Sequence, residues 1–163
     1  MNLRTDIVLG SLAAILAVGF AAAQSTPRVG SGDVVADRQR LMKLNGASWA
    51  DMQAKAKAGS IEAIAVNAET IALNAMHIPL LFPQGSLTDK SKARPEIWER
   101  RAEFESAAKN LQAQAEKLRD TARAKDAAGT QELVMSFGKQ TCGKCHTPKG
   151  DGSRFGPHFR SLD

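Results

Sequence analysis

The chain's only two cysteines stand three residues apart, in Cys142-Gly143-Lys144-Cys145-His146. On a helix, positions i and i+3 share a face. Two thiols so placed can reach the two vinyl groups of one porphyrin, and the next residue, His146, offers its imidazole to the iron from the same side. Gly143 leaves the backbone unobstructed beside such a ring. Three other uses of a cysteine pair compete. A thioredoxin-like redox pair opens a helix after a strand, near a βαβ pattern, whereas this pair closes the last helical block. A zinc site needs a second ligand pair, which His158 alone does not make. The third rival is a structural disulfide. In an exported chain whose only cysteines form C-x-x-C-H, covalent haem c with its iron is preferred to all three.

A second axial ligand is less sharply marked. Met42 lies mid-stripe on the first helical block, and a thioether is a known sixth ligand of haem iron. Gly46, one turn later on the same face, leaves room for a ring. Periodicity alone nevertheless favours a core methionine at 42, because methionine fills irregular gaps. Met52 and Met76 are further candidates, and His77 or His158 could give bis-histidine ligation. His77, near the end of the second helix, reads more simply as a capping or surface residue, and His158 as an exposed residue of the tail. Glu99 and Glu103 are read as exposed helix charges at i, i+4. No acid–base constellation appears, so the chain is not read as an enzyme.

The elements that must position these groups are helical. Tyr is absent, Thr and Val are sparse, and Ala, Lys, Glu, Gln and Leu dominate. Residues 1–23 read as a signal peptide: Arg4 precedes the uncharged run Ile7 to Phe20, and Ala21-Ala22-Ala23 supplies the cleavage pattern. Residues 24–32 read as a flexible N-terminus. The first helix is expected from about Asp33 to Ala58, capped by Asp33 and ended by Gly59, with Val35, Arg38, Met42, Asn45, Trp49, Met52 and Ala56 along one face. The second is expected from Ser60, as N-cap, to Met76, before Pro79 and Pro83. A loop over 82–94 leads to a third helix opening at Pro95, with the stripe Ile97, Phe104, Ala108, Leu111, Ala115, Leu118 and Ala122. The fourth is expected from Thr130 to His146, followed by a tail over 148–163 rich in glycine and basic residues. Four amphipathic helices with short links predict an all-α, antiparallel, up-down-up-down four-helix bundle over residues 33–147.

Here the chain resembles the class II c-type cytochromes, which include cytochrome c prime and its low-spin, methionine-ligated relatives. The haem motif lies near the C-terminus, Ala93-Arg94-Pro95-Glu96-Ile97-Trp98 resembles the segment opening the family's third helix, and Arg38-Gln39-Arg40-Leu41-Met42-Lys43 resembles its first-helix segment. The resemblance implies a four-helix bundle enclosing one haem. It implies that Met42 ligates the iron, as in the low-spin branch, and that Arg38 lies near the haem propionates. Two departures stand out. The family pattern has a glycine three residues before the first cysteine, while Gly138 is four before Cys142, and the tail after the motif is longer than usual and interrupted by Pro148 and Pro157.

The expected function is single-electron transfer in the periplasm, with gas binding at a five-coordinate iron as the alternative. The formal net charge is +5, and two propionates would subtract about two charges. Lys139, Lys144, Lys149, Arg154 and Arg160 surround the haem end of the sequence and would present a positive face to an acidic redox partner. No basic run interleaved with aromatics points to nucleic acid. No segment is expected to span a membrane once the leader is cleaved. A homodimer through the first two helices is implied by the resemblance.

Overall fold

A computed structural model describes residues 30–146. The signal peptide at 1–23, most of the N-terminal segment, and the tail with His158 lie outside the described residues. Within them the chain forms α1 (Val34–Lys57), α2 (Ile64–His77), a single 3-10 turn at Pro79–Leu81, α3 (Glu96–Glu99), α4 (Arg101–Arg123), α5 (Ala127–Gln140) and α6 (Cys142–His146). The described residues contain no strand. Helices α1, α2, α4 and α5 build the four-helix bundle expected from the sequence.

Local signals account for most boundaries. The Asp33 carboxylate accepts from the amides of Val35 and Ala36, satisfying two donors that have no partner within the helix. α1 ends in a Schellman turn: Gly59 adopts φ +73°, its amide donates to Ala56, and the Ser60 amide reaches back to Lys55. Ser60 thereby serves the end of α1 and does not cap α2, which begins at Ile64 after a turn. α4 ends the same way, with Lys125 at φ 60° in the position usually given to glycine. Asp126 then caps α5 by accepting from Gly129 at 3.0 Å. Links this short force neighbouring helices antiparallel.

Cross-links confirm that direction. Asn74 donates to Asn45 at 2.8 Å and Lys55 to Asn67 at 2.6 Å between α1 and α2. Arg119 meets Glu69 at 3.0 Å between α4 and α2. Asn110 donates to the Gln140 carbonyl at 2.9 Å between α4 and α5.

Two helices expected to be continuous are broken. The third divides at Arg100 (φ −118°, ψ 46°). Arg101, beside the break, donates to the carbonyls of Phe82 at 2.8 Å and Pro79 at 2.9 Å, so tertiary hydrogen bonds override helix propensity there. The fourth divides at Thr141 (φ −119°, ψ −77°). Both the Thr141 amide, at 2.9 Å, and its hydroxyl, at 2.6 Å, donate to the Phe137 carbonyl, and a hydroxyl bonded back one turn bends a helix. The haem motif therefore occupies a short helix of its own.

The apolar stripes meet in two clusters. Met52, Ile64, Ala68, Ile71, Ala115, Leu118, Ala122, Val134 and Phe137 fill the end of the bundle remote from α6. Ile78, Leu81, Phe82, Ile97, Phe104 and Ala108 form a second cluster, against which Met42, Leu111 and Cys145 pack. Leu118 is fully buried in the first cluster. Leu118→Ala is expected to cost about 2–5 kcal/mol, read from the urea midpoint of the protein at unchanged slope.

Candidate functional site

Against the second cluster lies a cavity of about 250 Å³. A water molecule occupies about 30 Å³ of liquid, so the space suits an organic group rather than trapped solvent. Its walls come from α1, α4 and the segments that flank the bundle helices. α1 supplies Val35, Arg38, Gln39, Met42, Asn45, Gly46 and Trp49. Ile78, Phe82, Ser91, Lys92 and Ala93 come from the connection between α2 and α3. α3 and α4 supply Ile97, Phe104, Ala107, Ala108 and Leu111, and Thr141, Cys142, Cys145 and His146 close the remaining side.

The break at Thr141 sets the thiols. Thr141 is almost fully buried, and its hydroxyl oxygen lies 3.6 Å from the Cys142 sulfur. Burial raises the Cys142 pKa above that of an ordinary thiol, an effect only partly offset by the Thr141 hydroxyl. No disulfide joins the two cysteines. Both line the cavity beside His146, which places the two thiols and the imidazole at one wall.

On α1, Met42 and Gly46 line the same space. A methyl group built at Gly46 would meet nothing within 4 Å, so the missing side chain is part of the cavity's volume. The competing ligands are elsewhere. Met52 is sealed in the first cluster and Met76 is 52% exposed. The His77 ring hydrogen-bonds the Leu73 carbonyl at 2.9 Å and borders a separate shallow surface depression. Gly138 does not face the cavity: a methyl group there would lie 3.1 Å from Trp49, so this glycine lets α5 approach the Trp49 ring, which also stacks on Phe137 at 5.5 Å.

Arg38 is the buried charge of the cavity wall, only 5% exposed. It donates to the Leu81 carbonyl, to the Ser86 carbonyl at 3.1 Å, to the Ser91 hydroxyl at 3.2 Å and to the Ser86 hydroxyl. Its guanidinium carbon stands 4.2 Å from the Phe82 ring centre and 5.8 Å from that of Trp98. Burial lowers its pKa, yet arginine stays protonated in proteins. No carboxylate among the described residues pairs with it. Ser86, Ser91 and Thr141 do not stand out in the sequence. Their only signal there is serine and threonine beside proline, glycine or a helix end, which marks turns in general.

These residues fit a covalent porphyrin: an apolar slot, two thiols and an imidazole on one helix, a thioether from α1, and a buried cation with no carboxylate partner among the described residues. A helical bundle with that site is a c-type haem protein. The profile of the cytochrome C' family matches residues 33–148. Cytochrome c-556 of Agrobacterium tumefaciens (strain II Chrys) is 36% identical over 115 residues, covering 69% of this chain and 92% of that one. The bundle also superposes on cytochrome c' from Rubrivivax gelatinosus with a TM-score of 0.62 at 22% identity, covering 75% of this chain and 95% of the other. The chain belongs to the cytochrome c' family, and it carries a covalent haem c with its iron. That family membership makes it a haem c electron carrier or a gas-binding haem protein. Filling the open space with Gly46→Phe is expected to cut covalent haem incorporation several-fold, measured as the ratio of haem absorbance to protein, while helical circular dichroism is retained.

Proposed function

We propose that the protein is a periplasmic one-electron carrier whose haem is attached through Cys142 and Cys145 and ligated by His146 and Met42. The observation that carries this reading is that Met42 of α1 and His146 of α6 line one cavity, while the other described methionines and His77 do not. When bound, the haem supplies one-electron chemistry at iron, ferric to ferrous and back. The chain's residues do the rest. With haem bound, the Met42 thioether would hold the iron together with His146 and so keep small ligands out. Phe82, Ile97, Phe104 and Leu111 exclude water from the slot. Arg38 offers the buried cation that a haem propionate requires. Exposed Lys139 precedes the motif and exposed Lys144 lies within it, giving an acidic redox partner a positive surface to find. The leader-like residues 1–23 support export, and a carrier of this kind is not an enzyme.

α2 supports the homodimer. It exposes Val66 and Leu73 seven residues apart, with Met76 beside them, and the 3-10 turn that follows exposes Leu80; a surface of that kind suits pairing with a second copy. Sedimentation equilibrium is expected to find a dimer that Leu73→Glu dissociates without altering the visible spectrum.

Ligation by Met42 has a direct optical test. The reduced wild-type protein is expected to keep its spectrum under carbon monoxide at neutral pH, and Met42→Leu to bind the gas readily. Carbon monoxide binding by the wild type would instead assign the protein to gas binding. A Met42→Leu spectrum identical to wild type in both oxidation states would remove Met42 from the ligand set.

A further inference from the structure

The guanidinium of arginine carries five N–H donors in a fixed fork. In Arg38, Nε serves the Leu81 carbonyl, Nη1 serves the Ser86 carbonyl and the Ser91 hydroxyl, and Nη2 serves the Ser86 hydroxyl. Four donors are thus committed to the segment 81–91, and one Nη2 N–H has no partner among the described residues. Ser86 is itself fixed, because its hydroxyl donates to the Pro83 carbonyl at 2.6 Å and its amide to the same oxygen at 3.3 Å. The Ser91 hydroxyl also accepts from the Ala93 amide at 3.2 Å. Phe82 and Trp98 hold the guanidinium plane, and Trp98 is tied to the Pro83 carbonyl at 2.9 Å.

We propose that Ser86 and Ser91 are positioning residues for the haem: they lock Arg38 into the cavity wall with a single donor to spare, so that the loop between α2 and α3 sets the reduction potential through that one cation. This rests on the reading of Arg38 as the partner of a haem propionate. The consequence is a single hydrogen bond and a fixed charge, not the two-pronged pair that a mobile arginine makes with a carboxylate. A fixed positive charge beside the cofactor favours the ferrous state, whose charge is one unit less positive. A guanidinium released from its serines turns toward solvent, where its field is screened.

The test is a cycle of midpoint potentials on the holoprotein at pH 8, with thermal unfolding and hydrogen exchange of the 81–91 amides read in parallel. Arg38→Leu is expected to lower the equilibrium constant for reduction about tenfold, which is about 59 mV for a one-electron couple. Ser86→Ala combined with Ser91→Ala is expected to lower it about threefold in the wild type and not at all in the Arg38→Leu background. Ser91→Thr, which keeps the hydroxyl, is expected to retain the wild-type potential. If Arg38→Leu leaves the potential unchanged, the propionate reading itself fails. If Arg38→Leu shifts it but the serine pair does not, or shifts it equally in both backgrounds, the serines merely hold the loop and the positioning role is overturned. Faster exchange at 81–91 in the serine variant without a change in potential overturns that role as well.

Discussion

A rigid ring bonded to two thiols of one helix must be enclosed by the others, and that requirement shapes the whole bundle. The thiols sit on α6, set off from α5 by the Thr141 backbone break. The helices around them cannot also meet one another there, so a slot opens beside the second of the two apolar clusters. Small residues keep the slot open: Gly46 on α1, Ala107 and Ala108 on α4. Each departure from regular helix near the site serves this geometry, because an unbroken fourth helix would carry the thiols on along the direction of α5.

The stability of the bundle and the chemistry of the slot are accordingly separated in space. Fully buried aliphatic residues gather in the first cluster, where α1, α2, α4 and α5 pack directly. The cavity end adds polar clamps to its smaller apolar cluster. Arg101 ties α4 to the carbonyls of Pro79 and Phe82, and Arg38 ties α1 to Leu81, Ser86 and Ser91. Both arginines thus pin the connection between α2 and α3, a stretch with almost no regular structure of its own. Backbone carbonyls in such a segment need donors, and two forked guanidinium groups provide several at once.

The covalent motif, the helical content and the antiparallel order are legible in the chain. Two cysteines and a histidine at C-x-x-C-H spacing have few other chemical uses, and caps such as Asp33 and the Gly59 turn act over four or five residues, a range that sequence displays directly. Ser60 departs from its expected role as the cap of α2 because a residue between two helices can serve either, and here the α1 carbonyl at Lys55 takes its amide. The breaks at Arg100 and Thr141 leave no comparable signal. The first is stabilised by carbonyls about twenty residues away, and the second by a threonine whose composition suits a helix interior nearly as well as a bend.

What the sequence determined by itself is the set of groups that can hold a porphyrin and the periodicity that folds four helices around it, since both depend on neighbours within a few turns. What only the tertiary structure decided is which residues of one stripe face packed core and which face the slot. Met42 and Met52 share the α1 stripe, yet Met52 is sealed in a cluster with Leu118 and Phe137 while Met42 lines the same cavity as His146. Periodicity specifies the face of a helix but not what lies across from it. That is settled by what the neighbouring elements bring across: buried side chains of α2, α4 and α5 at Met52, and at Met42 a cavity that the two thiols also line.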